Sequence, residues 1–303
     1  MLEELKTFIA VVEYKNFTKA SEKVNLSQPS VSVHIKNLER YFDTQLIMRS
    51  VKQKSIVITE KGYLLYRRAK EMIALLETTQ KEMQHLSTSI KGSLKIGATY
   101  TIGECILPDF LKEFCGAYPD IEIEVVVDNT ANISKKVQEL QLDIGLIEGV
   151  GHTGDFEQVY FLEDELVIIA PQEVTINKKS FNLESLQLQR WVTREEGSGL
   201  REYLDMFLAH NHITPRTKLV LGSNYAVTEA VKNGLGIAMV SEYIAKNLEE
   251  AEGVSVIKLD EPYKRSFSYI LSKGMAHSKT TEIFKEELDN YFSKSLTDEE
   301  NSL

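Results

Sequence analysis

Apolar positions over residues 1–90 recur at helical spacing, and beyond them the pattern changes to short alternating runs. Leu5, Phe8, Ile9 and Val12 form one stripe of an amphipathic helix. Ala20 and Val24 supply the buried side of a second, short helix, for which Thr18 is a suitable N-cap. Asn25-Leu26 breaks that pattern. Ser27 can cap a third helix, with Pro29 tolerated in its first turn. There Val31, Ile35 and Leu38 recur at i, i+4 and i+7 as an apolar back. The front carries Gln28, Ser30, Ser32, Val33, Lys36 and Asn37, mostly short hydrogen-bonding groups with one cation. This is the design of a helix–turn–helix, whose second helix is slim enough to enter a major groove. An ordinary helical hairpin shares the spacing but not the sequence that follows.

That sequence, Leu46-Ile47-Met48-Arg49 and then SVKQKSIVITEKG, alternates over Ser55–Thr59 and predicts a two-stranded wing. Arg49, Lys52 and Lys54 on it suit phosphate contacts or a minor groove. From Thr59 to about Ile90 there is no proline, and Gly62 is the only glycine. Leu65, Ala69, Met72, Leu76, Thr79, Met83, Leu86 and Ile90 alternate in spacings of four and three, an a/d seam for one long helix. Such a seam can pack on the next domain or pair with the same helix of a second copy. The coiled-coil spacing favours pairing.

After Lys91-Gly92-Ser93 strands and helices alternate. Leu94–Ala98, Ile121–Val127 and Leu142–Ile147 read as strands separated by helices, a βαβαβ series with a mainly parallel sheet. A second series contains Glu165–Ala170, Gln189–Thr193, a helix with Leu200, Leu204 and Phe207, Lys218–Leu221, a helix ended by Asn233-Gly234, and Leu235–Val240. The last strand and helix, Phe267–Leu271 and Thr280–Phe292, return to the first subdomain, with crossovers near Phe161–Glu163 and Arg265–Ser268.

Charge sharpens this division. The net charge is −10, yet residues 1–70 hold 13 Lys/Arg against 7 Asp/Glu, while the remainder hold 22 against 38. A basic module is joined to an acidic body. No apolar run reaches the length of a membrane span, and MLEELKTF lacks the order of a signal peptide, so a cytoplasmic protein is expected. Cys105 and Cys115 lie about 15 Å apart along one helix, too far for a bridge, and are expected to be buried thiols.

The order of amphipathic helix, ASEKVNLSQPSVSVHIKNLE, LIMRS, ITEKG and long seam helix resembles the LysR-type transcriptional regulators. Against the common pattern of that family, this chain has Ala20-Ser21 for an Ala-Ala pair, Ile47-Met48 before the wing arginine, Val33 where many members have arginine, and Ile102 where glutamine is frequent. The resemblance implies a winged helix–turn–helix over 1–58, a linker and dimerisation helix over 59–90, and a periplasmic-binding-protein-like α/β effector domain over 91–303. Within that domain, subdomain I is 91–162 with 267–303, and subdomain II is 163–266. DNA-contacting residues are then expected among Thr18, Gln28, Pro29, Ser30, Ser32, Val33, Lys36, Arg49, Lys52 and Lys54, and dimer contacts at Leu65, Ala69, Met72, Leu76, Met83 and Leu86. The implied partners are a double-stranded operator, a small-molecule effector, a second copy arranged as a dimer of dimers, and RNA polymerase. No cofactor and no membrane is implied.

Four segments end a strand and open a helix with small polar residues, where open α/β sheets bind ligands. They hold Thr99, Tyr100 and Thr101; Asn129 and Thr130; Thr193, Arg194, Glu195, Ser198 and Gly199; and Ser223 and Asn224. Each residue could simply cap its own helix. Converging, they would present backbone N–H groups, hydroxyls and the Arg194 or Arg201 guanidinium to an anion. The Thr99/Thr101 and Asn129-Thr130 pairs match effector-contacting positions of the family. REEGSGLREYL resembles a segment of members tied to sulfur or carbon assimilation, which implies a small inorganic or phosphorylated anion.

Two other classes compete. An enzyme would need machinery that is missing: GxSxG, HExxH, P-loop and Rossmann fingerprints are all absent, and His210 and His212, at i and i+2, point apart on a helix, although near its frayed end they could approach. A transport-type solute binder conflicts with the basic N-terminal module.

Overall fold

Helices α1 (Leu2–Tyr14), α2 (Phe17–Lys23) and α3 (Gln28–Tyr41) close around Phe8, Val11, Val31 and Leu38, none of which meets water. The computed structural model describes residues 1–49, 56–84, 90–149, 156–172, 183–249, 253–274 and 277–300, in two units divided between Leu86 and Ser87. Ser27 caps α3 as expected, its Oγ accepting the Ser30 N–H at 3.2 Å. The cap of α2 is Asn16 and not Thr18: its Oδ1 accepts from the Thr18 and Lys19 amides at 2.9 and 3.1 Å. The Asn16 side chain, two residues earlier, reaches the orphan amides, and Thr18 becomes part of the first turn. Between α2 and α3, Asn25 adopts the left-handed conformation at φ 54°, which turns the chain.

Polar links fix α3 against α1. Thr7 Oγ1 and His34 Nδ1 lie 2.8 Å apart, and Asn37 Nδ2 donates to Glu4 Oε1 at 2.7 Å. Asn37 therefore belongs to the helix–helix contact and not to the front of α3. The Glu39 carboxylate accepts from the Leu46 and Ile47 amides at 2.9 and 3.2 Å, tying on the wing. That wing pairs β1 (Ile47–Arg49) antiparallel with β2 (Ile56–Ile58). Lys52 and Lys54 fall outside the described residues.

Helix α4 (Glu60–Gln84) departs from the expected seam. Leu65 and Ala69 are buried in the N-terminal core, with Tyr66 and Ile73 beside them. Met72 and Leu76 remain 51% and 39% exposed. The first turns of the helix close their own domain, because α1 lies against them, so among the described seam positions the apolar Met72 and Leu76 are the ones left exposed. The Met83 side chain and Leu86 lie outside the described residues.

The second unit contains β3 (Gly92–Ala98), a π-helical turn Ile102–Ile106 running into α5 (Leu107–Ala117), β4 (Ile121–Val127), α6 (Thr130–Gln138) and β5 (Ile144–Glu148). Next come β6 (Phe156–Pro171), β7 (Arg190–Arg194), α7 (Gly199–His210), β8 (Thr217–Leu221), α8 (Asn224–Lys232) and β9 (Ala238–Ser241). The chain finishes with α9 (Glu242–Glu249), β10 (Val254–Ile257), β11 (Tyr263–Ser272) and α10 (Lys279–Glu300). The short α9 and β10 have no counterpart in the sequence reading.

Strand β3 pairs in parallel with β4 and β5, and β7 with β8. The βαβαβ series is parallel as expected, but the seven-stranded sheet it joins is mixed, because β6, β9, β10 and β11 pair antiparallel. Long strands β6 and β11 run antiparallel from Leu166–Tyr263 to Phe156–Ser272, with a register shift between Phe267 and Ser268. The chain crosses between lobes once in each direction, so the two crossing strands meet head to tail. Alternation along β6 then builds two cores: Leu166, Ile168 and Ala170 face α7, while Val167 and Ile169 face α8 and α9. The first lobe buries Leu94, Ile96, Phe110, Phe114 and Phe284 on one face of its sheet, and Ile133, Val137 and Ile147 on the other. Each such side chain stabilises the fold by roughly 1.5–3 kcal/mol through apolar burial.

The cysteines part company. Cys105 is half-buried, and burial pushes its thiol up to about 11; Cys115 is exposed on the outer side of α5, contrary to expectation. Among the described residues no helix is long and apolar enough to cross a membrane.

Candidate functional site

On α3, Gln28, Pro29, Val33 and Lys36 are exposed, and Ser30 and Ser32 are half-buried beside them. The apolar back made by Val31, Ile35 and Leu38 leaves this face pointing outward. Ser30 Oγ lies 2.8 Å from Ser27 Oγ, so the cap shares its hydroxyl. Val33, 54% exposed, offers a methyl surface of the kind that meets a thymine methyl. Thr18 is exposed at the start of α2, and Arg49 ends β1.

In the second unit the four strand-end segments do come together. Each lies at the carboxyl end of its strand: Thr99 after β3, Asn129 after β4, Thr193 and Arg194 on β7, Ser223 after β8. Arg194 is 3% exposed. Its Nη1 donates to Asn224 Oδ1 at 2.8 Å, and the Tyr100 ring of the first lobe covers its guanidinium at 4.3 Å. Nε and Nη2 donate side-on to Glu195 Oε2 and Oε1 at 2.8 and 2.9 Å. Asn129 Nδ2, from the first lobe, donates to Glu195 Oε1 at 3.1 Å. Asn224 Nδ2 reaches Thr101 Oγ1 at 3.3 Å, and the Ala131 amide donates to the Gly197 carbonyl at 3.1 Å. The lobes thus meet through the residues singled out from sequence.

Capping and bridging divide among these residues. Asn129 Oδ1 caps α6 through the Asn132 amide, and Ser223 Oγ caps α8 through the Ala226 amide. Ser198 stands at the N-cap of α7, buried, without a side-chain cap bond. Thr130 Oγ1 donates to the Glu148 carbonyl at 3.4 Å. Thr99 Oγ1 is buried with no hydrogen-bond partner. Gly199 is required where it stands: a Cβ there would lie 2.9 Å from both Glu148 Cβ and its carbonyl oxygen. Arg201 turns to Asp205 at 2.6 Å and to the Arg194 carbonyl at 3.0 Å, whereas Arg194 lies against Tyr100 of the first lobe, so Arg194 is the candidate anion partner.

A second charged group lies beneath, and the sequence reading passed over it. Arg265 on β11 is fully buried and donates to Asp164 Oδ2 at 2.6 Å, to Glu148 Oε2 at 2.5 Å and to Thr101 Oγ1 at 3.3 Å. Ser241 Oγ donates to Asp164 Oδ1 at 2.7 Å. Burial pushes the Asp164 carboxyl above the usual range, with the Arg265 charge opposing it. Burial likewise works against the Arg265 charge, but Glu148 and Asp164 outweigh it and keep the guanidinium ionised. Glu195 is different: burial opposes its ionisation, yet the hydrogen bonds from Arg194 and Asn129 hold its carboxyl below the usual range. A visible signal existed in charged residues standing within apolar strands, as in LEDELVIIA and YKRSFSYIL.

Residues 2–63 match the bacterial regulatory helix-turn-helix protein, lysR family, and residues 87–293 match the LysR substrate binding domain. The HTH-type transcriptional regulator CysL of Bacillus subtilis (strain 168) is 45% identical over 282 residues, covering 92% of this chain and 94% of that protein. The regulatory domain of Synechocystis PCC6803 CcmR, solved in complex with 2-PG, is 26% identical with a TM-score of 0.63, over 67% of this chain and 98% of that one. A full-length OxyR variant from Pseudomonas aeruginosa has the same fold, with a TM-score of 0.71 at 20% identity over 96% of this chain and 93% of its own.

Proposed function

This chain belongs to the LysR family of transcriptional regulators, and we propose that it couples operator binding through α3 to capture of a small anion between its two α/β lobes. Residues 1–58 read DNA, 59–90 link and dimerise, and 91–303 sense the effector. Gln28, Ser32 and Val33 face base edges, while Lys36, Arg49, Lys52 and Lys54 hold phosphates. Met72 and Leu76, exposed on α4, pair with a second copy so that two α3 helices meet a pseudo-palindromic site. Dimers of this kind associate further into tetramers, act in the cytoplasm where the DNA is, and engage RNA polymerase.

One observation carries the effector reading: the nearly buried Arg194 guanidinium sits where both lobes converge, among Tyr100, Thr101, Asn129 and Asn224. A ligand that bonds both lobes favours one lobe arrangement over another, and that difference in affinity is what can change DNA binding. The CcmR regulatory domain, solved in complex with 2-PG, supports a small-molecule occupant for the same kind of domain. Membership of a family of transcriptional regulators supports reading the cleft as a binding site.

Selection of genomic fragments by the purified full-length protein, with and without small oxyanions and phosphorylated metabolites, tests this. A small set of fragments should bind at least about a thousandfold tighter than random duplex, and an effective anion should shift that binding. Equal affinity for all duplexes under every condition would refute it.

A further inference from the structure

The seat around Arg194 is already filled by an anion, and that anion belongs to the chain. Glu195 is the next residue after Arg194, and side chains of successive strand residues point to opposite faces. Here the strand ends at Arg194, and the turn through Gly197, at φ 87°, lets the Glu195 carboxylate fold back onto the preceding guanidinium. Its two oxygens receive Arg194 Nε, Arg194 Nη2 and Asn129 Nδ2, donors drawn from both lobes. That donor set suits a tetrahedral oxyanion equally well. The Glu195 side chain is 29% exposed and that of Arg194 only 3%, so the carboxylate lies on the solvent side of the guanidinium. Thr99 Oγ1, buried without a partner one residue before Tyr100, is a further donor at the same strand end.

Building on the effector reading above, we propose that Glu195 is a built-in placeholder, displaced from Arg194 by a dianionic oxyanion of the sulfate or phosphoryl type. A tethered carboxylate competes at an effective concentration in the millimolar range or above. A free monocarboxylate offers the guanidinium no more charge than Glu195 does and loses that competition. A dianion roughly doubles the Coulomb attraction at the same distance and wins it. Glu195 therefore filters ligands by charge. Because its carboxylate is also bonded to Asn129, displacement releases one inter-lobe link and allows the ligand to replace it.

Calorimetric titration of the full-length protein with sulfate, methyl phosphate and acetate at neutral pH tests this, using the wild type, Glu195→Gln, Glu195→Ala and Arg194→Gln. Sulfate represents a free oxyanion, methyl phosphate a phosphoryl group carried on a metabolite, and acetate a carboxylate. The wild type should bind a dianion but not acetate. Both Glu195 variants should bind that dianion at least about tenfold tighter and should acquire acetate binding, and Arg194→Gln should bind none. A wild type that binds a dianion through Arg194, with Glu195 variants no tighter, would overturn the placeholder and leave the effector site standing. Absence of oxyanion binding in every protein would overturn both.

Discussion

Arg265 and Asp164 meet at 2.6 Å with neither side chain exposed, on the two strands that join the lobes. Glu148 completes the group from the end of β5. One guanidinium thereby serves two carboxylates away from water, and its removal leaves two negative charges facing each other. Arg265→Met should lower the unfolding free energy by about 3–5 kcal/mol, and the triple variant with Glu148→Gln and Asp164→Asn should recover much of that loss. Urea unfolding of the full-length protein checks both, and an unchanged midpoint in the single variant would contradict the assignment.

Asp205 supplies a pH signature. Burial opposes its ionisation, but the hydrogen bonds from Lys218 and Arg201, at 2.6 Å each, outweigh it and hold the carboxyl below its ordinary value of 3.8. A group depressed in the folded state contributes stability above its unfolded pKa and loses it as pH falls through the folded one. Wild type should therefore exceed Asp205→Asn in stability near neutral pH. The gap should narrow as pH drops below about 4. A gap constant down to pH 2, or one that widens in acid, would exclude the pairing.

Helix α4 distinguishes core from interface. Leu65→Ala should cost about 2–5 kcal/mol, because Leu65 is buried in the N-terminal core. Leu76→Glu should leave folding nearly intact and shift the sedimentation coefficient toward the monomer. The same oligomer in Leu76→Glu would place the exposed stripe elsewhere.

On α3, Lys36→Ala should weaken binding to all duplexes and reduce the slope of log K against log salt by about one unit. Gln28→Ala should cost about 1–3 kcal/mol on preferred fragments only. Equal losses on preferred and random DNA for Gln28→Ala would argue against base reading.

Gly199→Ala would force a Cβ against Glu148, where α7 begins beside β5. A stability loss of about 1–3 kcal/mol is expected from such overpacking, with weaker oxyanion binding in calorimetry. A variant as stable as wild type, with unaltered binding, would show that the approach can relax.

Local pattern carried much of this protein. The stripe Val31-Ile35-Leu38, the Ser27 cap, the strands from Leu94 to Ile147 and the helix stop at Asn233-Gly234 are all set by neighbours within a few residues, so periodicity and turn chemistry reveal them. The polar strand ends were legible for the same reason. Distant choices were not. Arg265 lies 101 residues from Asp164 and 117 from Glu148, so only the antiparallel crossing of β6 and β11 makes that arginine a buried counterion. Tertiary packing assigned Leu65 and Ala69 to their own domain, although their seam spacing fits a second copy equally well. It also turned Glu195 back onto Arg194, since a turn geometry and the facing Asn129 decide where a flexible carboxylate rests. Periodicity states which side of an element is apolar; what that side meets depends on how the whole chain is wound.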